Sequence, residues 1–210
     1  LDFGAWTDGI IQMNLINILT DKDRIFFIND TVRGPFIKNP NTNWYEVFGN
    51  MINDTVKLVG TTINCHYRVL YPCLNNIWKD STYPHVQSMF LVTDKIGLNI
   101  AIQNKMFCKN KLLNSRNKCM FVANNEIRLS LIILNAGYNI NAIAPMYRDM
   151  DYLNKSEHRK LNQNNEYGGD PWYNNQYFGK TLTPYDTIFF KTNCGVNQQL
   201  LNILTNEHLM

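Results

Sequence analysis

Residues 24–36 read RIFFINDTVRGPF, and the fold class turns on how that stretch is parsed. Arg24 to Ile28 is a short, unbroken apolar run bounded by a charge and by turn formers, which predicts a strand buried on both faces of an α/β sheet. Asn29-Asp30-Thr31 ends that strand, and Arg33-Gly34-Pro35 turns the chain. Upstream, apolar residues from Trp6 to Leu19 approach helical spacing, with Thr7 or Asp8 able to cap the start. Downstream, Trp44 to Met51 reads as a helix and Val56 to Ile63 as the next strand. Helix and strand alternate, which favours an α/β class.

Further along, Asn64 to Pro84 lacks periodicity and is expected to be a long functional loop. His85 to Thr93 then reads as one strand, followed by a helix from Asp94 to Asn104 with Asp94 at its cap. Asn124 or Asn125 can cap a helix over Glu126 to Asn135, closed by Ala136-Gly137. Tyr138 to Ile143 is strand-like. Asp149 to Trp172, containing Gly168-Gly169-Asp170-Pro171, is expected to be a mobile excursion. Thr187 to Lys191 is a last strand before a helix over Val196 to Leu204. The expectation for residues 1–210 is a single α/β domain.

Composition narrows the classes. Apolar residues make up 45% and charged residues 18%, which excludes a disordered chain. A net charge of +3 with scattered Lys and Arg shows neither a nucleic-acid footprint nor a polybasic membrane patch. Five cysteines, Cys65, Cys73, Cys108, Cys119 and Cys194, form no CxxC pair, and the odd number points to reduced thiols in a cytoplasmic setting. No apolar run is long enough to span a bilayer. The chain opens on Leu-Asp-Phe-Gly-Ala-Trp without an initiator Met, so an upstream portion is expected.

Several residue types carry chemistry, each with a plainer role beside it. Asn29-Asp30-Thr31 at a strand end supplies oxygen ligands where an α/β sheet presents them to a hard cation and a phosphate; the same residues also make ordinary turn caps. Glu126 at a helix start is either a general base or a carboxylate that complements the helix dipole. His66 and His85 flank the irregular segment as ligands, acid–base groups or structural histidines. Lys191 in FFKTN can reach a phosphate or be solvated. The aromatics Trp44, Tyr45, Tyr71, Trp78, Tyr83, Trp172, Tyr173 and Tyr177 divide between core packing and stacking on sugar rings.

Taken together, DFGAW at 2–6, FFINDTVRGPF at 26–36, VKLVGTTINC at 56–65, PHVQSM at 84–89, NAGYNI at 135–140, GGDP at 168–171 and PYDTIFFKTN at 184–193 resemble nucleotide-sugar-dependent glycosyltransferases of GT-A type. The resemblance is to the rhamnan-synthesis-like proteins and the glycosyltransferase domains of large DNA viruses, and it spans nearly the whole chain. It implies a GT-A-like, Rossmann-like mixed sheet flanked by helices, truncated before Asp2 where the base-binding strands would lie. It implies that Asp30, with Asn29 and Thr31, holds Mn²⁺ or Mg²⁺ and the donor diphosphate in place of an Asp-X-Asp motif, with one carboxylate instead of two. Glu126 corresponds to the base that deprotonates the acceptor hydroxyl. Arg33, His85, Gln87, Ser88 and Lys191 fall in the donor and acceptor pocket, with Asp170 beside them. The implied partners are a nucleotide-sugar donor and a glycan or glycoprotein acceptor, not nucleic acid, in the cytoplasm of a cell or, for a virus, of its host. Two rivals stand: a non-catalytic carbohydrate-binding or scaffold domain of the same fold, and a glycoside hydrolase using Glu126 and a second carboxylate.

Overall fold

A computed structural model describes residues 2–67, 74–80, 82–108, 118–161, 170–193 and 198–209. Its strands are β1 Ile25–Ile28, β2 Val32–Arg33, β3 Val56–Gly60, β4 Ile63–Tyr67, β5 Thr82–Val86, β6 Phe90–Thr93, β7 Asn139–Ala142 and β8 Phe190–Lys191. Its α-helices are α1 Asp2–Gln12, α2 Leu15–Ile18, α3 Trp44–Gly49, α4 Lys95–Gln103, α5 Lys118–Val122, α6 Arg128–Asn135, α7 His158–Leu161, α8 Pro184–Thr187 and α9 Gln198–Leu209, with a π-helical turn over Ala123–Ile127 joining α5 to α6. The result is a mixed α/β fold with a mixed parallel and antiparallel sheet flanked by helices.

The main sheet has the order β1-β6-β3-β7. Strand β6 is antiparallel to both β1 and β3, and β3 is parallel to β7. Strands β1, β3 and β7 therefore run in one direction, and their carboxyl ends share one end of the sheet with the start of β6. Gly60 is required at the carboxyl end of the inner strand β3: a Cβ there would lie 2.2 Å from Val86 Cγ1 and 2.8 Å from the Phe90 carbonyl. One apolar cluster joins sheet and helices, with Phe48, Val59, Phe90, Leu98 and Leu131 fully inside it.

Several elements depart from the pattern in the sequence. The expected first helix breaks after Gln12 because Asn14 adopts the left-handed conformation, φ 49°, which Asn tolerates better than most residues. Strand β1 is an edge strand among the described residues, and Ile28 is 43% exposed, so it is not buried on both faces. The segment expected to be a loop contains the antiparallel hairpin β4–β5, with Cys65 opposite Pro84. All five residues of β5 are buried, so no polar alternation marks it. The single strand expected over His85 to Thr93 is two, split by a turn at Gln87-Ser88-Met89. Of the strand expected over Thr187 to Lys191, only Phe190–Lys191 pairs, with Val32–Arg33. Ile188 precedes it at φ 62°, rare for a β-branched residue, and its carbonyl accepts from Phe36 N at 2.7 Å.

The excursion expected to be mobile is anchored where it is described. Asn139 donates to the Met150 carbonyl and accepts from Tyr152 N. Asp149 N donates to Asn141. His158, 1% exposed, bridges Thr82 Oγ1 at 2.7 Å and the Tyr152 carbonyl at 2.9 Å. Gly168 and Gly169, together with Tyr71, Cys73 and Cys194, lie outside the described residues, as do the His66 and Cys119 side chains. Among the described residues, Cys65 and Cys108 are in no disulfide, and no helix is long and apolar enough to cross a membrane.

Candidate functional site

The carboxyl end of β1 meets the turn before β6 through Asn29 N, which donates to the Met89 carbonyl at 3.0 Å. Past that point Asn29 closes on its own turn. Its Oδ1 accepts from Thr31 N at 2.7 Å and Thr31 Oγ1 at 2.8 Å, an Asx-turn. Its Nδ2 donates to Asp2 Oδ2 at 2.6 Å, tying the strand end to the start of α1. Asp30 follows with its side chain exposed.

One residue before Met89, Ser88 donates both its N–H, at 3.1 Å, and its hydroxyl to Glu126 Oε2. The other carboxylate oxygen, Oε1, lies 3.8 Å from His85 Nε2. The His85 Nδ1 donates to the Tyr83 carbonyl at 2.9 Å, which sets the tautomer, since a carbonyl only accepts. Complete burial lowers the His85 pKa to about 4, so the ring is neutral at physiological pH. Glu126 does not stand in a helix's first turn, as the sequence suggested; it sits inside the π-helical turn of a longer helical run. Helical turns of this width recur at functional sites.

The carboxylates of Asp2, Asp30 and Glu126 share one electrostatic neighbourhood. Burial raises the Asp2 pKa first of all, and the negative charges of Asp30 and Glu126 raise it further. Hydrogen bonds make the strand end and the helical turn neighbours although they are far apart in sequence: Asn29 bonds Asp2 and the Met89 carbonyl, and Ser88, next to Met89, bonds Glu126.

Gln87, 5% exposed, forms a brace in the adjoining wall. Its Oε1 accepts from Thr62 Oγ1 at 2.7 Å and its Nε2 donates to Asp170 Oδ1 at 3.1 Å. Trp172 Nε1 donates to Thr62 Oγ1, and Trp172 N to the same Asp170 oxygen. Asp170 is thereby brought beside Gln87. Lys191 pairs with Val32 in the β2–β8 ladder, and the next residue, Thr192, donates N–H and hydroxyl to the Thr31 carbonyl at 2.8 and 2.9 Å. Lys191 therefore lies beside the Asn29–Thr31 turn, whereas Arg33 turns away and donates to Asn202 on α9 at 2.6 Å.

Charge also gathers at the far end of the sheet, where a cleft of about 230 Å³ is lined by Asp21, Arg24, Lys57 and Asp94 among others. Lys57, Asp94 and Arg24 in it are already committed. Lys57 Nζ is 2.8 Å from Asp94 Oδ2, both side chains nearly fully buried, while Asp94 Oδ1 caps α4 through Gly97 N. Arg24 donates to the Gly49, Asp21 and Asp23 carbonyls.

The donor set at the Asn29–Thr31 turn fits a divalent cation only with one protein ligand. Asn29 Oδ1 is spent on Thr31 and Asp2 Oδ2 accepts from Asn29, which leaves the exposed Asp30 carboxylate. Among the described residues no group of three or more His, Cys, Asp or Glu side chains is arranged to hold a metal ion. Two residues at this end were not singled out from sequence as parts of a site. Asp2 sits in the DFGAW block, whose acidic residue was the available signal. From sequence Asn125 reads only as a helix cap, yet its Nδ2 donates to the Phe121 carbonyl at 2.9 Å inside the helical run. Comparison of the chain with protein-family models, curated proteins and solved structures finds no match in any of the three.

Proposed function

We propose that the chain is a GT-A-like glycosyltransferase domain that moves a sugar from a nucleotide-sugar donor to a carbohydrate or glycoprotein acceptor. The observation that carries the reading is that the Asn29–Thr31 turn, bonded to Asp2 and Met89, and the Glu126 carboxylate held by Ser88 meet at the carboxyl end of the main sheet, with Lys191 beside the same turn. Crevices at such strand ends are where α/β sheets take ligands.

In this reading Glu126 Oε1 accepts the proton of the acceptor hydroxyl while Oε2 is held by Ser88. The hydroxyl oxygen forms the new bond to the anomeric carbon of the donor. The bond from that carbon to the diphosphate breaks, its electron pair leaves with the nucleoside diphosphate, and Lys191 stands to offset the charge. Mn²⁺ or Mg²⁺, held by Asp30 and by the donor's own phosphates, would supply further charge compensation when bound. Cys65 and Cys108, which are in no disulfide, support a cytoplasmic location, that of the host for a viral chain.

The test is hydrolysis-corrected sugar transfer by Glu126→Gln beside wild type. The reading expects transfer to fall by a factor of about 10² or more, with donor binding retained. Full activity would remove Glu126 from the mechanism. One observation favours a second reading, a non-catalytic glycan-binding domain: Glu126 Oε2 already satisfies the Ser88 N–H, a structural task in its own right. That reading expects glycan affinity that is indifferent to metal and no turnover.

A further inference from the structure

We propose that Asp170 is a sugar-binding residue whose Oδ2 accepts a hydroxyl hydrogen from the pyranose bound beside Glu126. The proposal rests on the reading of this end of the sheet as a sugar site, and it holds whether or not the sugar is transferred.

The Asp170 carboxylate is held by one oxygen. Its Oδ1 accepts from Gln87 Nε2 at 3.1 Å and, in an Asx-turn across Pro171, from Trp172 N at 3.2 Å. The polar atoms behind it allow one arrangement of hydrogens. Trp172 Nε1 can only donate, so Thr62 Oγ1 accepts from it at 3.1 Å and sends its single hydrogen to Gln87 Oε1 at 2.7 Å. The Gln87 amide is thereby oriented with Nε2 toward Asp170, which closes a ring through Thr62, Gln87, Asp170 and Trp172. Thr62, Gln87 and Trp172 are buried, whereas Asp170 is half-buried. Trp172 also packs edge-on against Phe190, with ring centroids 5.0 Å apart, one residue before Lys191. The ring is therefore fixed to β8 as well as to the turn between β5 and β6.

This clamp uses Oδ1 alone. Among the described residues none donates to Oδ2, which carries the same charge and can only accept. Gln87 and Ser88 are consecutive, with Cα atoms about 3.8 Å apart; Gln87 fixes Asp170 and Ser88 fixes Glu126 Oε2. One turn thus holds two carboxylates, each by a single oxygen. A sugar hydroxyl has one hydrogen to give, and an immobilised carboxylate oxygen takes it in a charge-assisted bond. A ligand that meets Glu126 with one hydroxyl has others to offer Asp170.

The experiment is calorimetric titration of the full chain with methyl glucoside, galactoside and mannoside and with UDP-glucose and UDP-galactose, followed by monodeoxy analogues of the tightest binder. In the wild type, removal of one particular hydroxyl is expected to lower affinity about tenfold or more. Asp170→Asn keeps an oxygen for Gln87 and Trp172 and replaces Oδ2 by an amide nitrogen that does not accept. The variant is expected to bind the parent sugar about tenfold more weakly than the wild type does, and parent and analogue within about threefold of each other. Its Trp172 indole N–H resonance is expected at the wild-type position. A variant that discriminates parent from analogue as the wild type does overturns the proposal, as does a wild type that binds none of these sugars. An affinity loss that comes with a displaced indole resonance gives Asp170 the structural task alone and overturns it too. If Asp170→Asn does not fold, the wild type decides through its Asp170 ¹³Cγ resonance. Movement on saturation with the parent sugar that the deoxy analogue fails to produce supports the proposal; the same response to both, or to neither, overturns it. Turnover is not read here, so a chain that discriminates as described and transfers no sugar contradicts only the transferase reading.

Discussion

His85 is the residue whose environment has the clearest consequence for pH. Its pKa falls from the ordinary 6.5 to about 4 because the ring is fully buried, so the unfolded chain binds a proton there more readily than the folded one. Stability contributed by the neutral ring is fully present above pH 6.5 and is lost as pH falls from there toward 4. The shift corresponds to about 3 kcal/mol at 1.36 kcal/mol per pH unit. Urea unfolding of wild type against His85→Gln is expected to show a shallower loss of stability over that window in the variant; identical pH slopes would contradict the burial argument. Lys57 and Asp94 give a second prediction at this scale. Asp94→Ala leaves a buried ammonium without its carboxylate and removes the α4 cap, so unfolding free energy is expected to fall by about 3–5 kcal/mol. A loss under about 1 kcal/mol would show that Lys57 reaches water in the variant.

At the scale of elements, the turn between β5 and β6 organises the site, and it depends on close packing behind it. Gly60→Ala would drive a methyl into Val86 and the Phe90 carbonyl, the residues that flank that turn. Overpacking of this kind costs about 1–3 kcal/mol, and it is expected to displace the Ser88 amide resonance together with the unfolding midpoint; a shift in neither would place the two strands farther apart. Legibility in the sequence followed the same lines. The helix capped by Asp94 was readable because one carboxylate preceded an apolar periodic run, and its Gly97 bond is present. The β4–β5 hairpin was not, since burial of both faces removes alternation and Pro84 argues against a strand. The position of Glu126 misled for a related reason. Two Asn residues before an apolar run look like a cap, whereas Asn125 spends its amide on a carbonyl within the helix. Local sequence does not distinguish those uses.

For the molecule as a whole, the direction of four strands decides where chemistry can occur. Because β1, β3 and β7 point one way and β6 the other, the Asn29–Thr31 turn and Ser88 meet at one end, and Glu126 and Lys191 come in from elements distant in sequence. The strand-end motif was readable in RIFFINDTVRGPF. Its partner carboxylate Asp2 was not, because an acidic residue in DFGAW does not by itself announce a contact with Asn29. The central claim, that this end of the sheet takes a nucleotide-sugar donor, is tested most directly by calorimetric titration of the chain with nucleoside diphosphates and nucleotide sugars, with and without Mn²⁺, beside Asp30→Ala. The proposed function predicts saturable, metal-enhanced binding to the wild type that the substitution weakens at least tenfold, about 1.4 kcal/mol. Donor binding that Asp30→Ala leaves unchanged, or no binding of any donor, would contradict it.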